Sequence, residues 1–385
     1  MATEPGKTIL ITGGAGFIGS HTADLLISAG NRVRALDVLD PQIHGEGRAR
    51  PAYLHPEVEL VRGDVRNQGD LESALEGVDT VYHFASRTGV GQSMYDIKNY
   101  VETNCAGTAA LIEAIIRSGR KLKRLVLSSS RAVYGEGTAE CALHGRVYPH
   151  ARRRRDLFAG RFAVRCPVCG SAARPTVTGE DRPPAPVSVY ARTKLQQEEY
   201  CRYAAETFDL PVTILRYFNV YGSRQSLENP YTGVISIFYS RFLAGQPVSL
   251  YEQGLPGRDF IHVSDVAHAN VLAGSADVEP GTCINIGSGV ETSIGKVARK
   301  LAAACGRKAE LLKTGQFRVG DIRACTADVT RAKEMLGFEP LTSLEAGLAE
   351  FSAWAATQES ADFYQRAVEE LSEHGLFGCA DGATS

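Results

Sequence analysis

Short apolar runs alternate with longer apolar-periodic segments along the first third of the chain. The run at 8–12 (TILIT) leads into a glycine turn, and an apolar-periodic segment then continues through Leu25, Leu26 and Ile27. A second apolar run follows at 32–37 (RVRALD). This order predicts a strand, a glycine turn, a helix and a second strand.

Three further strands are predicted at 58–61, 80–84 and 122–130, with a helix at about 99–118 before the last of them. Strands that alternate with helices at this spacing specify an α/β fold with a doubly wound parallel sheet. In such a sheet, ligands bind beyond the carboxyl ends of the strands. The residues that follow each strand are therefore the first candidates for a site.

The periodicity stops between Tyr134 and Tyr190. Segment 136–185 has few periodic apolar residues and ends in prolines, so we expect an inserted, separately stabilised loop. Beyond it the pattern predicts a helix that carries Tyr190. Shorter elements follow, with strands at 212–216, near 248 and at 283–286, and helices near 234–243, 265–274, 294–304 and 344–356.

These elements predict two lobes, because 385 residues exceed the usual size of one domain. We expect a large domain at 1–217 that contains the insertion. A smaller α/β lobe is expected at 218–356, with some segments returning to the large domain. Residues 357–385 are expected to form a final helix and a tail.

The composition is that of an ordinary globular protein. The formal net charge is −2, 22% of the residues are charged and 44% are hydrophobic, so nothing marks the chain for nucleic acid or an anionic membrane. Since it has neither an apolar run of about 18 residues nor a signal-like N-terminus, we expect a cytoplasmic protein. Five of the nine cysteines are predicted to be buried core thiols, namely Cys105, Cys201, Cys283, Cys305 and Cys325.

The glycine turn has the spacing of a dinucleotide-binding loop. Gly13, Gly16 and Gly19 lie between the first strand and the first helix, where a pyrophosphate binds the helix N-terminus. Asp37 ends the second strand about twenty residues later, and a carboxylate there accepts hydrogen bonds from ribose hydroxyls while it repels a 2′-phosphate. The pattern favours NAD over NADP, although Asp37 taken alone could be an exposed strand-end acid.

Further candidates follow the next strands. Asp64, after the third strand, is predicted to reach the adenine amino group. The small Ala85 and Ser86, after the fourth, let the backbone approach the cofactor closely. Ser128–Ser130 end the fifth strand, which favours a binding site there over a merely polar strand terminus.

Tyr190 and Lys194 lie four residues apart on a predicted helix and therefore share one face. An ammonium and a cationic nicotinamide near the phenol would lower the pKa of Tyr190 from its usual value of about 10. Tyr190 could then take a hydroxyl proton while hydride leaves the same carbon. The pair alone usually marks an exposed helix face, but after a nucleotide-binding half and a serine-tipped strand it favours a redox site.

The sequence resembles the extended short-chain dehydrogenases/reductases of the NAD-dependent nucleotide-sugar epimerase/dehydratase family. The resemblance spans nearly the whole chain and includes the strand that ends at Asp37. It rests on TGGAGFIGSH at 12–21, GD at 63–64, HFAS at 83–86, SSSRAVYG at 128–135, YARTK at 190–194, LRYFNVYG at 215–222, GRDFIHVSDVA at 257–267 and RVGDIRA at 318–324. It implies a Rossmann NAD-binding domain, a substrate-binding lobe, a nucleotide-diphosphate sugar substrate, and a homodimer through a contact that includes the Tyr190 helix.

The resemblance also implies roles for individual residues. Ser130 is expected to bond the reacting sugar oxygen, Tyr190 to be the base, and Lys194 to be its electrostatic partner and a ribose ligand. Further expected cofactor contacts are Phe17, Ile18, Val65, Phe84, Asn104, Ser128 and Tyr217. The expected substrate contacts are Thr88, Ser130, Arg131, Asn219, Tyr251, Arg258 and Arg318. Tyr251 is a candidate to flank the nucleobase, with a buried strand tyrosine as the alternative.

Arg131 and Ala132 bear on the reaction. Related 4,6-dehydratases carry an Asp-Glu pair at these positions, so the acid and base that eliminate water are missing. This favours a 4-epimerase, in which C4 is oxidised to a ketone and hydride returns to the other face. A UDP-hexuronic acid decarboxylase or dehydrogenase and a non-catalytic NAD-binding scaffold are the alternatives. Thr88 stands where UDP-galactose 4-epimerases often have lysine, so a different sugar fits the pattern.

The insertion carries a second group of candidate ligands. Cys141 with His144 and Cys166 with Cys169 are two knuckle-spaced pairs suited to one structural, tetrahedral zinc ion, which would help the loop to fold. Unligated side chains in a disordered loop are the alternative. The insertion resembles that of bacterial dTDP-L-rhamnose 4-epimerase-like proteins, which points to a dTDP-6-deoxyhexose or a related NDP-hexose. The arginine run at 152–155 is expected to be a solvated face.

Overall fold

The N-terminal region consists of alternating strands and helices, as the pattern predicts. The structure, a computed structural model, describes residues 5–47, 49–229, 231, 233–360 and 362–380. The elements up to the fifth strand are β1 Thr8–Thr12, α1 Phe17–Ser28, β2 Arg32–Asp37, α2 Pro41–His44, β3 Glu59–Arg62, α3 Gln68–Ala74, β4 Thr80–His83, α4 Ile97–Tyr100, α5 Gly107–Arg117 and β5 Arg124–Ser130. A π-helical stretch at Val101–Ala106 joins α4 to α5.

The insertion contains regular structure where a loop is expected. Its elements are β6 Thr138–Cys141, β7 Gly145–Val147, α6 Arg154–Phe158 and β8 Arg174–Thr178. The insertion also has a small apolar core of its own, formed by Ala139, Cys141, Val147, Val164, Cys166 and Ala173.

The remaining elements are close to those predicted. They are α7 Val189–Phe208, β9 Val212–Tyr217, β10 Asn219–Tyr221, α8 Val234–Leu243, β11 Val248–Leu250, β12 Gly257–His262, α9 Val263–Ser275, β13 Thr282–Ile286, β14 Glu291–Ser293, α10 Ile294–Ala304, β15 Leu311–Lys313, β16 Gln316–Arg318, β17 Ala324–Ala327, α11 Thr330–Leu336, α12 Leu344–Ala355, α13 Tyr364–Glu373 and β18 Phe377–Cys379. The tail expected after 380 lies outside the described residues.

The main sheet is fully parallel, with the strand order β13-β9-β5-β4-β1-β2-β3. Strands β2 and β3 lie on one side of β1, whereas β4 and β5 lie on its other side. The order of the strands therefore changes direction between β1 and β4. Every residue of β1 is buried, as expected for a parallel strand covered by helices on both faces. The sheet confirms the predicted doubly wound α/β fold and opens a ligand crevice at the strand ends.

A second, mixed sheet forms the smaller lobe and takes in the insertion. Its order is β10-β12-β17-β8-β6-β7, with β14 also paired to β12. Strand β8 pairs in parallel with β17, for example through Thr326 and Val177. The insertion is therefore stabilised by pairing with the smaller lobe as well as by its own core, because the backbone of β8 completes the hydrogen bonding of β17, which would otherwise be an open sheet edge. Two-stranded pairings β11-β15 and β16-β18 complete the lobe.

Polar caps set the starts of several helices. Ser188 caps α7 by accepting a hydrogen bond from the Ala191 amide, and Asn67, Ser293 and Ser343 cap α3, α10 and α12 in the same way. The Ser188 cap matters for the site, because it fixes the first turn of the helix that carries Tyr190.

The predicted core cysteines are only partly confirmed. Cys201, Cys283 and Cys325 are buried, whereas Cys105 and Cys305 are partly exposed. Within the described ranges, no helix combines the length and the apolar character needed to cross a membrane.

Candidate active site

A cavity of about 330 Å³ lies at the carboxyl ends of the main-sheet strands. It brings together nearly all of the residues expected to bind a cofactor. Those that line it are Gly13, Gly16, Phe17, Ile18, Gly19, Asp37, Asp64, Val65, Phe84, Ala85, Ser86, Ser128, Tyr190, Lys194 and Tyr217, and Thr88 lines it as well.

The glycine turn brings three backbone segments into close contact. Gly13 has φ +71°, and a Cβ atom there would lie 2.8 Å from the amide nitrogen of Ala85. A Cβ atom on Gly19 would lie 2.4 Å from the Gly13 carbonyl oxygen. Gly16 precedes α1 and gives it no side-chain cap, so the first-turn N–H groups are left for an anion.

Asp37 is held at the end of β2 with its oxygens fixed by backbone amides. Oδ2 accepts from the Ala15 amide at 3.0 Å and Oδ1 from the Leu39 amide at 2.9 Å. Burial raises the pKa of this carboxyl, with these amides opposing the rise. His44, which the sequence reasoning missed, lies 3.8 Å from Asp37 and also lines the cavity. Its short helix α2 gave no motif by which to find it.

Two expected cofactor residues are engaged within the protein. Asp64 lines the cavity, but its carboxylate accepts a hydrogen bond of 2.6 Å from Arg66. This hydrogen bond is the largest cause that holds the pKa of Asp64 below its usual range. Asn104 is fully buried and does not line the cavity. Its amide bonds both backbone groups of Arg87 and the hydroxyl of Thr193, so it supports the loop after β4.

The expected catalytic groups meet where β5 ends and α7 begins. The Ser130 hydroxyl accepts a hydrogen bond from the Ala132 amide at 3.2 Å and lies close enough to the Tyr190 phenol to affect its pKa. Burial raises the pKa of Tyr190, and Ser130 and the charge of Arg131 only partly oppose this rise. A hydroxyl and a phenol close together at the end of a strand can together bind and deprotonate an alcohol.

Lys194 is 3% exposed and lies one turn beyond Tyr190. Its ammonium donates to the Ser128 carbonyl at 2.8 Å and to the side chain of Gln197 at 2.9 Å. Burial lowers the pKa of Lys194 to about 7. The ammonium of Lys194 is directed to these two oxygens and is not among the groups that shift the pKa of Tyr190. That an ammonium and a cationic nicotinamide together lower this pKa stays a prediction.

Apart from Thr88, the expected substrate residues lie outside the cavity lining. Arg258 and Arg318 both bind the carboxylate of Asp321, at 2.6 Å and 3.3 Å. The guanidinium of Arg318 lies 5.7 Å from the centre of the Tyr251 ring. Asn219 has a buried side-chain oxygen with no hydrogen-bond partner in the described structure.

Glu198 is a buried residue that the sequence reasoning missed. It lies on α7 one turn after Lys194, and its two oxygens bind Arg216 of β9 at 2.8 Å and 2.6 Å. The hydroxyl of Ser129 also donates to it. The spacing from Lys194 is the signal that could have found it, since it places Glu198 on the same helix face.

The four expected metal ligands are brought together in the insertion. The donor atoms of Cys141, His144, Cys166 and Cys169 all lie within 4.8 Å of one another. The His144 Nδ1 atom lies 3.5 Å and 3.6 Å from the Cys141 and Cys166 sulfurs, and the Cys141 and Cys169 sulfurs lie 3.7 Å apart. A tetrahedral site with Zn–S bonds of about 2.3 Å has edges of about 3.8 Å, so this group can hold a metal ion.

The arginine run is not uniformly solvated. Arg153, Arg154 and Arg155 are exposed, but the side chain of Arg152 is buried between Glu136 and Glu252. The expected solvated face is therefore wrong for Arg152, because the two carboxylates compensate its buried charge.

Comparisons with known proteins agree with this geometry. A model of the NAD dependent epimerase/dehydratase family matches residues 9–155 and 160–287. A dTDP-L-rhamnose 4-epimerase from Burkholderia thailandensis is 38% identical over 92% of this chain and 96% of that protein. A UDP-N-acetyl-alpha-D-glucosaminuronate decarboxylase from Bacillus cytotoxicus is 30% identical over 90% of this chain and 97% of that protein.

The similarity extends to solved structures. A crystal structure of UDP-glucuronic acid 4-epimerase from Bacillus cereus, in complex with UDP-glucuronic acid and NAD, is similar with a TM-score of 0.73 and 28% identity, over 91% of this chain and 99% of that one. The chain therefore belongs to the NAD dependent epimerase/dehydratase family and is an NAD-dependent nucleotide-sugar epimerase family enzyme.

Proposed function

We propose that this enzyme is a nucleotide-sugar 4-epimerase that uses NAD and acts on a dTDP-6-deoxyhexose or a related NDP-hexose. The observation that carries the proposal is that Tyr190 lines the dinucleotide cavity with Ser130 close enough to affect its pKa, and that Arg131 rather than an acid directly follows Ser130. The 38% identity to a dTDP-L-rhamnose 4-epimerase supports the choice of sugar.

The distribution of carboxylates supports epimerisation over dehydration. The acidic residues of the cavity lining are Asp37, Asp40 and Asp64, which follow β2 and β3. Tyr190 meets the end of β5, which is separated from β2 by β4 and β1, or roughly 14 Å at the usual strand spacing. No lining carboxylate is thus placed to remove water from a sugar held at Tyr190.

The cavity fits NAD. The uncapped N-terminus of α1 supplies N–H groups for the pyrophosphate, and Asp37 supplies acceptors for ribose hydroxyls. When bound there, NAD would supply a hydride acceptor for C4 of the sugar and a hydride donor for the return step.

The side chains of the protein would carry out the transfer of the C4 hydroxyl proton. The Ser130 hydroxyl bonds the C4 oxygen and holds it beside Tyr190, and the phenolate oxygen of Tyr190 takes the C4 hydroxyl proton. Lys194 would bind ribose hydroxyls. After the 4-keto sugar has turned over so that the other face of C4 meets the cofactor, Tyr190 returns the proton to the C4 oxygen.

The test is a panel of dTDP- and UDP-sugars incubated with purified enzyme, with the products resolved by chromatography and NMR. We expect interconversion of 4-epimers without net NADH formation. Release of CO₂ from a UDP-hexuronic acid, or stoichiometric accumulation of NADH, would replace the epimerase with a decarboxylase or a dehydrogenase. Absence of any reaction with bound NAD would favour a non-catalytic scaffold.

We also propose that the Cys141, His144, Cys166 and Cys169 group holds a structural zinc ion. All four positions of a tetrahedron are taken by protein ligands, which leaves none for a reacting water. We expect one equivalent of zinc by metal analysis of purified protein. Less than about half an equivalent would exclude the assignment, since a closed site retains its metal.

A homodimer through α7 and its neighbours remains our expectation. Ile97 and Val101, next to α7, and Tyr203 and Phe208 on it are exposed apolar side chains, of the kind that a subunit contact buries. Light scattering after gel filtration should give twice the chain mass, and the monomer mass would contradict the expectation.

A further inference from the structure

One buried arginine connects the insertion to the substrate lobe. We propose that Arg152 is a positioning residue, which braces the turn after Tyr251 and the loop of Asp321 and thereby orients the groups that bind the nucleotide part of the substrate. This inference rests on the proposed function, because it requires a substrate that carries a nucleotide.

Arg152 joins three separate segments of the chain. Its Nε donates to Glu136 at 2.8 Å, its Nη1 to Glu252 at 2.7 Å, and its Nη2 to the backbone carbonyl of Asp321 at 2.9 Å. The Arg152, Glu136 and Glu252 side chains are 4%, 1% and 3% exposed. A buried guanidinium fork that bonds several partners holds them in one geometry.

The turn that contains Glu252 needs such a brace. Glu252 and Gln253 have φ values of +47° and +61°, a conformation that residues other than glycine keep only where surrounding contacts impose it. Arg152 and Arg323 both bind the Glu252 carboxylate, at 2.7 Å and 3.3 Å. Because Tyr251 directly precedes this turn, the brace also sets the position of the Tyr251 ring.

The second point of attachment is Asp321. Its carboxylate binds Arg258 and Arg318. Burial acts to raise the pKa of Asp321, but the charges of Arg258, Arg318 and Arg152 hold this pKa well below the usual range. Fixing the Asp321 backbone therefore fixes two arginines that are expected to contact the diphosphate or the sugar of the substrate.

Two of the proposed metal ligands lie at the ends of the segment that contains Arg152. His144 and Cys166 bound the stretch 145–165, and their donor atoms lie 3.6 Å apart. Within this stretch, the ring of Phe158 packs at 5.0 Å against that of Phe317, the neighbour of Arg318. The insertion thus supports the substrate lobe at two points, although none of its residues lines the cofactor cavity.

The first test is Arg152→Met, compared with Arg153→Met as a matched control at the exposed neighbouring position. Calorimetric titration with dTDP and with UDP should show a Kd raised about tenfold or more in Arg152→Met, in line with the loss of hydrogen bonds to charged groups. With substrate, KM should rise similarly while kcat stays within about threefold, since the change affects binding and not the reacting atoms. The control should bind as wild type does, and unchanged binding by Arg152→Met would overturn the proposal.

A double variant distinguishes a positioning role of Arg152 from a non-specific loss of structure in Arg152→Met. In Arg152→Met/Glu252→Gly, the glycine adopts the positive φ without a brace, and the carboxylate that has lost its Arg152 partner is removed as well. We expect this variant to bind dTDP at least about threefold more tightly than Arg152→Met. A double variant that binds no better would overturn the positioning role.

Two further outcomes are informative. If Arg152→Met does not fold, Glu252→Gln, which keeps the side-chain volume, should weaken dTDP binding in the same direction, and unchanged affinity would overturn the inference. Wild-type enzyme that binds neither dTDP nor UDP would instead overturn the proposed function. If wild type binds dTDP or UDP and every variant binds it with the same affinity, only the proposed role of Arg152 is overturned.

Discussion

The phenol of Tyr190 lies in surroundings that oppose its ionisation. Burial raises its pKa, and only the Ser130 hydroxyl and the Arg131 charge act against this effect. A neutral phenol before the cofactor binds is useful, because a buried phenolate would be an uncompensated charge. Bound NAD would place a positive charge near this phenol and would lower its pKa, so that Tyr190 would act as a base only with the cofactor in place.

Replacing Tyr190 by phenylalanine should remove the base and leave the cavity intact. We expect kcat to fall by about 10²–10⁴, while the NAD content of the purified protein, measured by chromatography after denaturation, is unchanged. Tyr203→Phe is a matched control on the same helix, at a side chain that is 59% exposed, and should be fully active. A Tyr190→Phe variant with normal turnover would assign the base to another group.

Lys194 should make the nucleotide-free protein less stable at neutral pH. Its folded pKa is lowered from 10.5 to about 7, a penalty of roughly 5 kcal/mol. Losing its two hydrogen bonds costs roughly 1–3 kcal/mol. We therefore expect Lys194→Met to raise the free energy of unfolding at pH 7 by roughly 2–4 kcal/mol, while activity is lost.

The pH dependence gives the check. Between pH 7 and 10.5 the unfolded chain binds the proton that folded Lys194 does not, so wild-type stability rises with pH through this range. The advantage of Lys194→Met in urea unfolding should shrink from pH 7 to pH 9, and Lys308→Met, at an exposed site, should show no such trend. An advantage that grows with pH would contradict the assignment.

At the scale of elements, Glu198 ties α7 to the main sheet. It binds Arg216 of β9 and Ser129 of β5 while its helix presents Tyr190 and Lys194 to the cavity. Glu198→Ala leaves Arg216 with a buried, unpaired charge, so we expect a loss of roughly 3–5 kcal/mol in the free energy of unfolding. Glu199→Ala, at an exposed neighbour, should lose less than about 0.5 kcal/mol.

Acid should remove this contribution. Although burial acts to raise it, the Arg216 guanidinium holds the pKa of Glu198 below 4.5. The stabilisation is therefore present above pH 4.5 and is lost as the pH falls through the folded pKa. The difference between wild type and Glu198→Ala, measured by denaturant titration, should be largest at pH 7 and smaller near pH 4, and a constant difference would argue against an ionised Glu198.

The elements that the sequence predicted well are those whose signals are local. The periodicity of α8 and α10 gave their bounds, and the glycine turn with Asp37 gave the cofactor end of the site. The role of the insertion was not accessible in this way, because β8 finds its partner in β17, about 150 residues further along the chain. Arg152 was misjudged for the same reason, since Glu252 and Asp321 are remote in sequence.

At the scale of the whole molecule, the group of Cys141, His144, Cys166 and Cys169, where we propose zinc, is separate from the cofactor cavity. Removal of metal by a chelator should open the stretch 145–165 to protease, because the ligands close it at its base. The NAD content should not change, since the lining residues lie outside the insertion. Gel electrophoresis of timed digests checks this, and added zinc should restore resistance. Equal protease resistance with and without metal would remove the metal from any structural role.

The edge position of β13 has a consequence for how the chain folds during synthesis. This strand can pair with β9 only after residue 286 has been made. The second sheet can be completed only later, because it needs β17. At usual elongation rates the ribosome needs roughly 3–14 s to go from the end of β9 at Tyr217 to the end of β13 at Ile286. Until then β9 has a bare, highly apolar edge, so the nascent enzyme should depend on chaperones more than its ordinary composition suggests.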